Sequence, residues 1–306
     1  MSEFEAVTAH LTTLRDYIRW GASRFNAAGL FFGHGTASAT DEAAALVLHA
    51  IHQPHDLPAG YFNCVLAPDE RARVVELLER RIAERKPAAY LIGEAWFCGL
   101  PFHVDENVLV PRSPIAELIE QQFSPWVSEP DTVTDLLDLC TGSGCIAIAS
   151  ALAFPDAAVD AADISPAALA VARRNIVRHE VEDRVRAVES DLFSSLGDKR
   201  YDLIVSNPPY VATAEWQSLP PEYHAEPKLG LESGVDGLDC VRRILREAEA
   251  HLKPEGLLIV EVGSSAEALE EAYPDLPFCW LDFERGGDGV FLVTAEQLRA
   301  SRHQLN

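Results

Sequence analysis

Asp138-Leu-Cys-Thr-Gly-Ser-Gly144 ends an apolar run at 134–140 and opens a helical pattern at 144–153. Glycine at such a junction lets the backbone turn tightly and approach a ligand that a Cβ would exclude. In a doubly wound sheet this junction is where a nucleotide-like ligand lies. Asp163 ends the next apolar run, 19 residues after Gly144, where an acid can accept hydrogen bonds from both hydroxyls of a ribose. Further runs at 184–190, 201–206 and 257–263 alternate with helical patterns at 166–179 and 239–252. That alternation predicts a mostly parallel sheet covered by helices on both faces. A hairpin is expected at the end, with strands at 278–284 and 290–294 around Gly286-Gly287-Asp288-Gly289. Gly142-Ser-Gly144-Cys-Ile-Ala147 also fits G-x-G-x-x-A, so NAD is a second candidate ligand.

Upstream the pattern is different. Leu11, Leu14, Tyr17 and Ile18 recur at helical spacing, and 41–52 is rich in Ala and Leu. A third helix is expected from Pro68, with Asp69 and Glu70 in its first turn and Val74, Val75, Leu77, Leu78 and Ile82 along one side. Gly29, Pro54 and the Lys86-Pro87 step mark helix ends, so 1–86 reads as a small helical bundle. The stretch 88–112 carries Tyr90, Ile92, Trp96, Phe97, Phe102, Val104, Val108 and Val110, broken by Gly93 and Gly99-Leu100-Pro101. It reads as a hairpin linking two domains. At 306 residues, a chain of two domains is the expectation.

The second chemical motif is Asn207-Pro208-Pro209-Tyr210, which closes the run YDLIVSNPPY. Two prolines fix their own φ angles and restrict the residue before each, so Asn207 is held extended at the strand end. A planar NH2 group is a poor nucleophile, because its lone pair is delocalised into the neighbouring carbonyl or ring. The Asn207 side-chain oxygen and the Pro208 carbonyl can each accept one N–H of such a group. The lone-pair direction then faces a methyl donor, and Tyr210 can stack on the plane. Transfer gains from positioning and electrostatics.

With 25 basic and 48 acidic residues the net charge is −23, which disfavours phosphate backbones and attracts a basic partner. Cys64, Cys98, Cys140, Cys145, Cys240 and Cys279 form no CxxC pair, as expected of free thiols in the cytoplasm. MSEFEAVTAH does not read as a signal peptide, and runs such as 257–260 are far below a membrane span.

Together, DLCTGSGCIAIA, DISPAALAVARRN, SDLF and YDLIVSNPPY resemble the protein N5-glutamine methyltransferases. Of the two branches, one acting on peptide release factors and one on ribosomal protein uL3, several stretches are similar to the second. They are AAYLIGEAWFC at 88–98, VLVPRSP at 108–114, EPKLGL at 226–231 and FERGGDGVF at 283–291. The resemblance covers roughly 86–294. It implies an α/β fold of the class I S-adenosylmethionine-dependent methyltransferases, with a Rossmann-like, mostly parallel seven-stranded sheet closed by an antiparallel strand. It also implies a helical substrate-recognition domain at 1–86, a linking β-hairpin at 87–114 and a catalytic domain at 115–306. The implied cofactor is S-adenosyl-L-methionine. Thr141, Gly142, Ser143 and Gly144 would enclose its methionine portion, Asp163 its ribose, and Asp191 with Leu192 its adenine side; Asn207 would lie beside it. Asn207, Pro208, Pro209, Tyr210 and Glu226 would hold the glutamine, with Asn207, Pro208 and Tyr210 carrying the chemistry. The implied substrate is uL3 before ribosome assembly, with no direct nucleic-acid or membrane partner. Cys140 stands where the release-factor branch has glycine, and Leu192 where some relatives have tryptophan.

Arg112 could reach a cofactor carboxylate or make a structural salt bridge, and Glu261 could face the same cleft. His49, His52 and His55 form HxxHxxH, but Pro54 breaks the helix that would align them, and no metal site is expected. An amino-methyltransferase of DNA would also use N/D-P-P-Y/F, since adenine and cytosine present the same planar NH2. It should carry a basic groove or target-recognition domain, and none is evident. A dehydrogenase would leave Asn207 to Tyr210 idle, and a binding module would leave both motifs unexplained.

Overall fold

A computed structural model describes residues 9–305; the helical expectation for 1–8 lies outside them. The chain forms two compact units. One comprises the residues up to Glu94 together with Pro220–Ala225, and the other comprises Ala95–Leu219 and the chain from Glu226 onward.

In the first unit, helices run over Leu14–Ala27, Ala39–Ala50 and Pro68–Glu84. Each has a local start signal. The Asp16 carboxylate and the Thr13 hydroxyl close a reciprocal capping box, Ser38 caps Asp41, and Pro68 opens the third helix while Glu70 accepts from the Ala67 N–H. Tyr17, Phe25, Leu46, Val74 and Leu78 pack in its core. Ala88–Ile92 is also helical, not part of the expected hairpin. Pro87 and two alanines favour a turn of helix, and Gly93 ends it at φ 78°. The hairpin is shorter than expected: β1, Glu94–Phe97, pairs with β2, Leu100–His103, and no strand follows over 104–112.

The second unit contains a seven-stranded sheet. Its strands are β3 Asp135–Leu139, β4 Ala158–Asp163, β5 Val185–Glu189, β6 Tyr201–Ser206, β7 Leu252–Glu261, β8 Cys279–Trp280 and β9 Val290–Thr294. Their order is β5-β4-β3-β6-β7-β9-β8, with β9 antiparallel to both neighbours. Leu136, Leu137, Ile204, Val205, Leu258 and Ile259 are buried, as a sheet with helices on both faces requires. This is the class I methyltransferase fold. The last hairpin departs from the sequence expectation, because only Cys279–Trp280 of 278–284 is strand. The Glu117 carboxylate takes the N–H groups of Glu284 and Arg285 (3.0 and 2.8 Å), drawing that stretch off the ladder.

Register fixes where the strand ends meet. Leu139 pairs with Ala162 and with Ser206, Asp163 with Glu189, and Ser206 with Val260. The residues that follow each strand therefore gather along one edge. The strand order reverses between β3 and β6, so the edge lies at a topological switch point, where open α/β sheets bind ligands.

Candidate active site

A cavity of about 410 Å3 opens at that edge, within the range of small-molecule sites. Thr141, Gly142, Ser143, Asp163, Asp191, Leu192, Asn207, Pro209, Tyr210, Arg112 and Glu261 all line it. Gly144, Pro208 and Glu226 do not. Gly144 instead adopts φ 82° as the N-cap of the helix Cys145–Ala153, where a Cβ would come within 3.3 Å of Ala172. Its contribution is close helix packing.

Asp138, given no role from the sequence, shapes the loop from beneath. It is fully buried, and one carboxylate oxygen accepts from the Thr141 hydroxyl and from the Ala147 N–H at 3.0 Å. Gly144 has no side chain to cap the helix; Asp138 supplies that acceptor from a neighbouring strand. Its other oxygen has no hydrogen-bond partner among the described residues, and burial pushes the carboxyl up to about 7. A second tie is Asn175, buried on the helix Pro166–Arg178, which donates to the Ser143 and His103 carbonyls (2.8 and 3.0 Å). The only sequence signal for it was a polar residue in line with apolar Ala172 and Ile176.

The raised Asp138 group gives a pH signature. The folded state holds this proton where the unfolded chain has released it, so the group's contribution falls as pH rises from about 4 to about 7. Asp138→Asn removes that slope. Stability of the wild type relative to Asp138→Asn should drop by on the order of 3–4 kcal/mol across that window and then level off. Thermal unfolding of both proteins from pH 4 to 8 measures it; a flat difference would show that Asp138 does not titrate there.

Asp163 holds the loop as well as facing the cavity. Its two carboxylate oxygens accept from the Gly142 and Ser165 N–H groups, both at 2.9 Å. Burial raises its carboxyl, and these backbone donors oppose the rise. Asp191 is engaged by Arg243 at 2.8 Å, and Leu192 lies buried beside it at φ 51°. Cys140 also sits in the left-handed region, at φ 60°, where glycine would be unstrained. Burial pushes Cys145 up to about 12, and neighbouring Cys240 together with burial pushes Cys140 up, so neither is a thiolate nucleophile near neutrality.

Asn207 leaves β6 immediately after Ser206, whose hydroxyl is locked to the Leu139 carbonyl at 2.8 Å. The Asn207 side chain is half-buried on the cavity wall and makes no hydrogen bond among the described residues. Tyr210 is held from several sides: its hydroxyl donates to Glu261 at 3.1 Å, and its carbonyl accepts from Ser265 at 2.7 Å. A Cβ on Gly263 would come within 2.6 Å of its ring. Gly289 packs as tightly on the Gly263 backbone and Gly287 on the Pro114 ring, and both have positive φ, so two of the three glycines in the Gly-Gly-Asp-Gly turn leave no room for a side chain.

Glu226 and Arg112 find each other. Arg112 donates two bonds to the Glu226 carboxylate, at 2.6 and 2.7 Å, and the Val110 N–H adds a third at 3.0 Å. The pair clamps the stretch before Ser113 to the Glu226–Leu231 stretch, whose Leu231 carbonyl accepts from Val211 at 2.8 Å. Among the described residues no group of three or more His, Cys, Asp or Glu is placed to hold a metal ion.

The comparisons agree with this architecture. The family model "Methyltransferase small domain" matches residues 126–219. A "Ribosomal protein uL3 glutamine methyltransferase" of Francisella tularensis subsp. tularensis is 51% identical over 94% of this chain and 92% of its own. A relative of the same name from Xanthomonas campestris pv. campestris is 52% identical over 96% of this chain and 95% of its own. Among solved structures, the hMettl16 catalytic domain in complex with MAT2A 3'UTR hairpin 6 shares the fold, with a TM-score of 0.50 over 73% of this chain and 80% of that one at 17% identity. On relatives that match nearly end to end at half identity, this chain belongs to the family of ribosomal protein uL3 glutamine methyltransferases.

Proposed function

We propose that this enzyme transfers a methyl group from S-adenosyl-L-methionine to the side-chain N5 of a glutamine in ribosomal protein uL3, in the cytoplasm, before the ribosome assembles. The observation that carries the chemistry is Asn207: a carboxamide on the wall of the cavity that makes no side-chain hydrogen bond among the described residues. The residues fit the donor. The cavity is large enough, and the Ser143 hydroxyl on its wall is buried with no oxygen or nitrogen hydrogen-bond partner among the described residues. Thr141, Gly142, Ser143, Asp163, Asp191 and Leu192 would hold the donor, and Gly144 would set the turn beneath it. When bound, it supplies a methyl group on a positively charged sulfur, open to attack by nitrogen.

The chain's own residues prepare the nitrogen. The Asn207 oxygen on the cavity wall accepts one of its N–H bonds, the carbonyl of Pro208, buried between the lining residues Asn207 and Pro209, accepts the other, and Tyr210 covers one face of the amide. Pro209 fixes the turn, and the Glu226–Arg112 clamp shapes the wall that admits the side chain. The surplus amide proton passes to solvent. The helical unit serves as the substrate-recognition domain.

The partner reading rests on the relatives' names and on charge. A protein that binds ribosomal RNA is basic while unassembled, and a chain of −23 attracts it. Purified enzyme should add one methyl to a glutamine of free uL3, read by mass spectrometry, at a rate that falls as salt rises. A release factor at matched concentration should react at least tenfold more slowly. Preference for the release factor would place the substrate in the other branch, and methyl transfer into DNA would overturn the reading.

A further inference from the structure

Glu261 ends β7 at the cavity and is only 6% exposed. Its carboxylate accepts from two hydroxyls that come from separate parts of the second unit. The Ser113 hydroxyl reaches one oxygen at 2.5 Å, and the Tyr210 hydroxyl reaches the other at 3.1 Å. The Glu226 carboxylate engages Arg112, and the loop contacts account for Asp138. No loop contact explains why an acid is buried here rather than a glutamine or a leucine. A buried carboxylate is costly unless its acceptors are used, and both of these acceptors are used by groups that donate.

We infer that Glu261 is a positioning residue: its ionised carboxylate, steadied by Ser113, fixes the Tyr210 ring as the wall against which the substrate amide lies. This rests on the glutamine reading of the site. Ionised, the carboxylate accepts from both hydroxyls at once; protonated, one of its oxygens becomes a donor and competes with the hydroxyl that donates to it. The ring has little other freedom. Gly263 leaves no room for a Cβ beneath it, and the Tyr210 carbonyl is held by Ser265. The hydroxyl end is where a change at Glu261 would release it.

The groups facing Glu261 act in opposite directions. Burial raises its carboxyl above the ordinary carboxylate value, and Asp288, from the turn before β9, adds to the rise. The Ser113 and Tyr210 hydroxyls and the Arg112 charge oppose it. Turnover should therefore fall as pH drops through a point above the usual carboxylate range.

The test uses the full chain with free uL3 as substrate. Glu261→Ala should lower kcat at least tenfold, while KM for uL3 and calorimetric affinity for the methyl donor change less than about threefold. Glu261→Gln should recover part of the loss and abolish the acid limb. Tyr210→Phe combined with Glu261→Ala should cost no more than the larger single change, as expected of residues acting as one unit. A readout without substrate is the ring 13C NMR signal of Tyr210, assigned by its loss in Tyr210→Phe. It should titrate with pH in the wild type and not in Glu261→Gln. An unmoved signal, or losses that multiply in the double variant, would overturn the inference. If the wild type transfers no methyl to uL3, the substrate reading fails instead, and the NMR signal alone then decides the role of Glu261.

Discussion

Replacing Asn207 with alanine is expected to cut turnover by roughly 10²-fold or more while leaving the protein folded and donor binding nearly intact. The expectation follows from what the side chain does not do. It makes no hydrogen bond among the described residues, so truncation leaves no buried partner stranded. The strand beneath it is secured separately, by the Ser206 hydroxyl on the Leu139 carbonyl and by the β3–β6 register. What is lost is one of two acceptors that hold a planar NH2 group. An amide free to rotate about one remaining bond seldom presents its lone-pair direction to the donor methyl, and that loss of orientation is a loss in rate. Asn207→Asp keeps an acceptor oxygen at the same place and should cost less. Steady-state kinetics with free uL3, calorimetry with the methyl donor and thermal unfolding together separate the cases. A variant that methylates at the wild-type rate would end the proposed role of the motif. One that no longer binds the donor would move Asn207 from the substrate side of the cavity to the cofactor side.

The features legible in the sequence are those with a local or periodic cause. The central strands are buried on both faces, so they read as apolar runs, and the helix Pro166–Arg178 carries an ordinary start signal in Ser165 and Pro166. Thr141, Gly142, Ser143, Asp163, Asp191, Leu192, Asn207 and Tyr210 could be placed because each follows a strand, and register does the rest. Features set by distant partners were not legible. The Arg112–Glu226 clamp joins residues 114 apart, and either one alone reads as an ordinary surface charge. Asp138 was visible inside its motif, but its hold on Thr141 and Ala147 depends on how a loop folds back over a strand. The expected strands at 88–92 and 281–284 failed for two different reasons. In the first, alanine between proline and glycine outweighed β-forming Tyr90 and Ile92. In the second, the Glu117 carboxylate captured backbone donors that a ladder would have used. Nor did composition foretell that Pro220–Ala225, beyond the second motif, belongs to the helical unit.

That short segment underlies the largest expected effect on stability. Glu222 is fully buried in the helical unit, as are Arg81 and Glu42 on the helices Pro68–Glu84 and Ala39–Ala50. Arg81 reaches Glu42 at 2.6 Å, Glu222 at 3.5 Å and the Phe31 carbonyl at 3.1 Å, while Arg85 meets Glu222 at 3.0 Å. Glu42 further accepts from the Ala88 N–H and the Thr36 hydroxyl, both at 3.1 Å. Arg81→Ala leaves the buried Glu42 carboxylate without a charge partner, held only by the Ala88 N–H and the Thr36 hydroxyl, and leaves Glu222 to the partly exposed Arg85, so about 3–5 kcal/mol of stability should be lost. Arg81→Lys keeps the charge but not the fork that spans two acids, and should recover only part. The instructive control is Arg81→Met with Glu42→Gln and Glu222→Gln, which removes the charges together and should cost far less than Arg81→Ala alone. Hydrogen exchange of the amides in Pro68–Glu84 reports on this unit separately from the sheet. A loss below about 1 kcal/mol in Arg81→Ala would mean that water enters and solvates the acids, and the cluster would then not be a dry anchor for Pro220–Ala225.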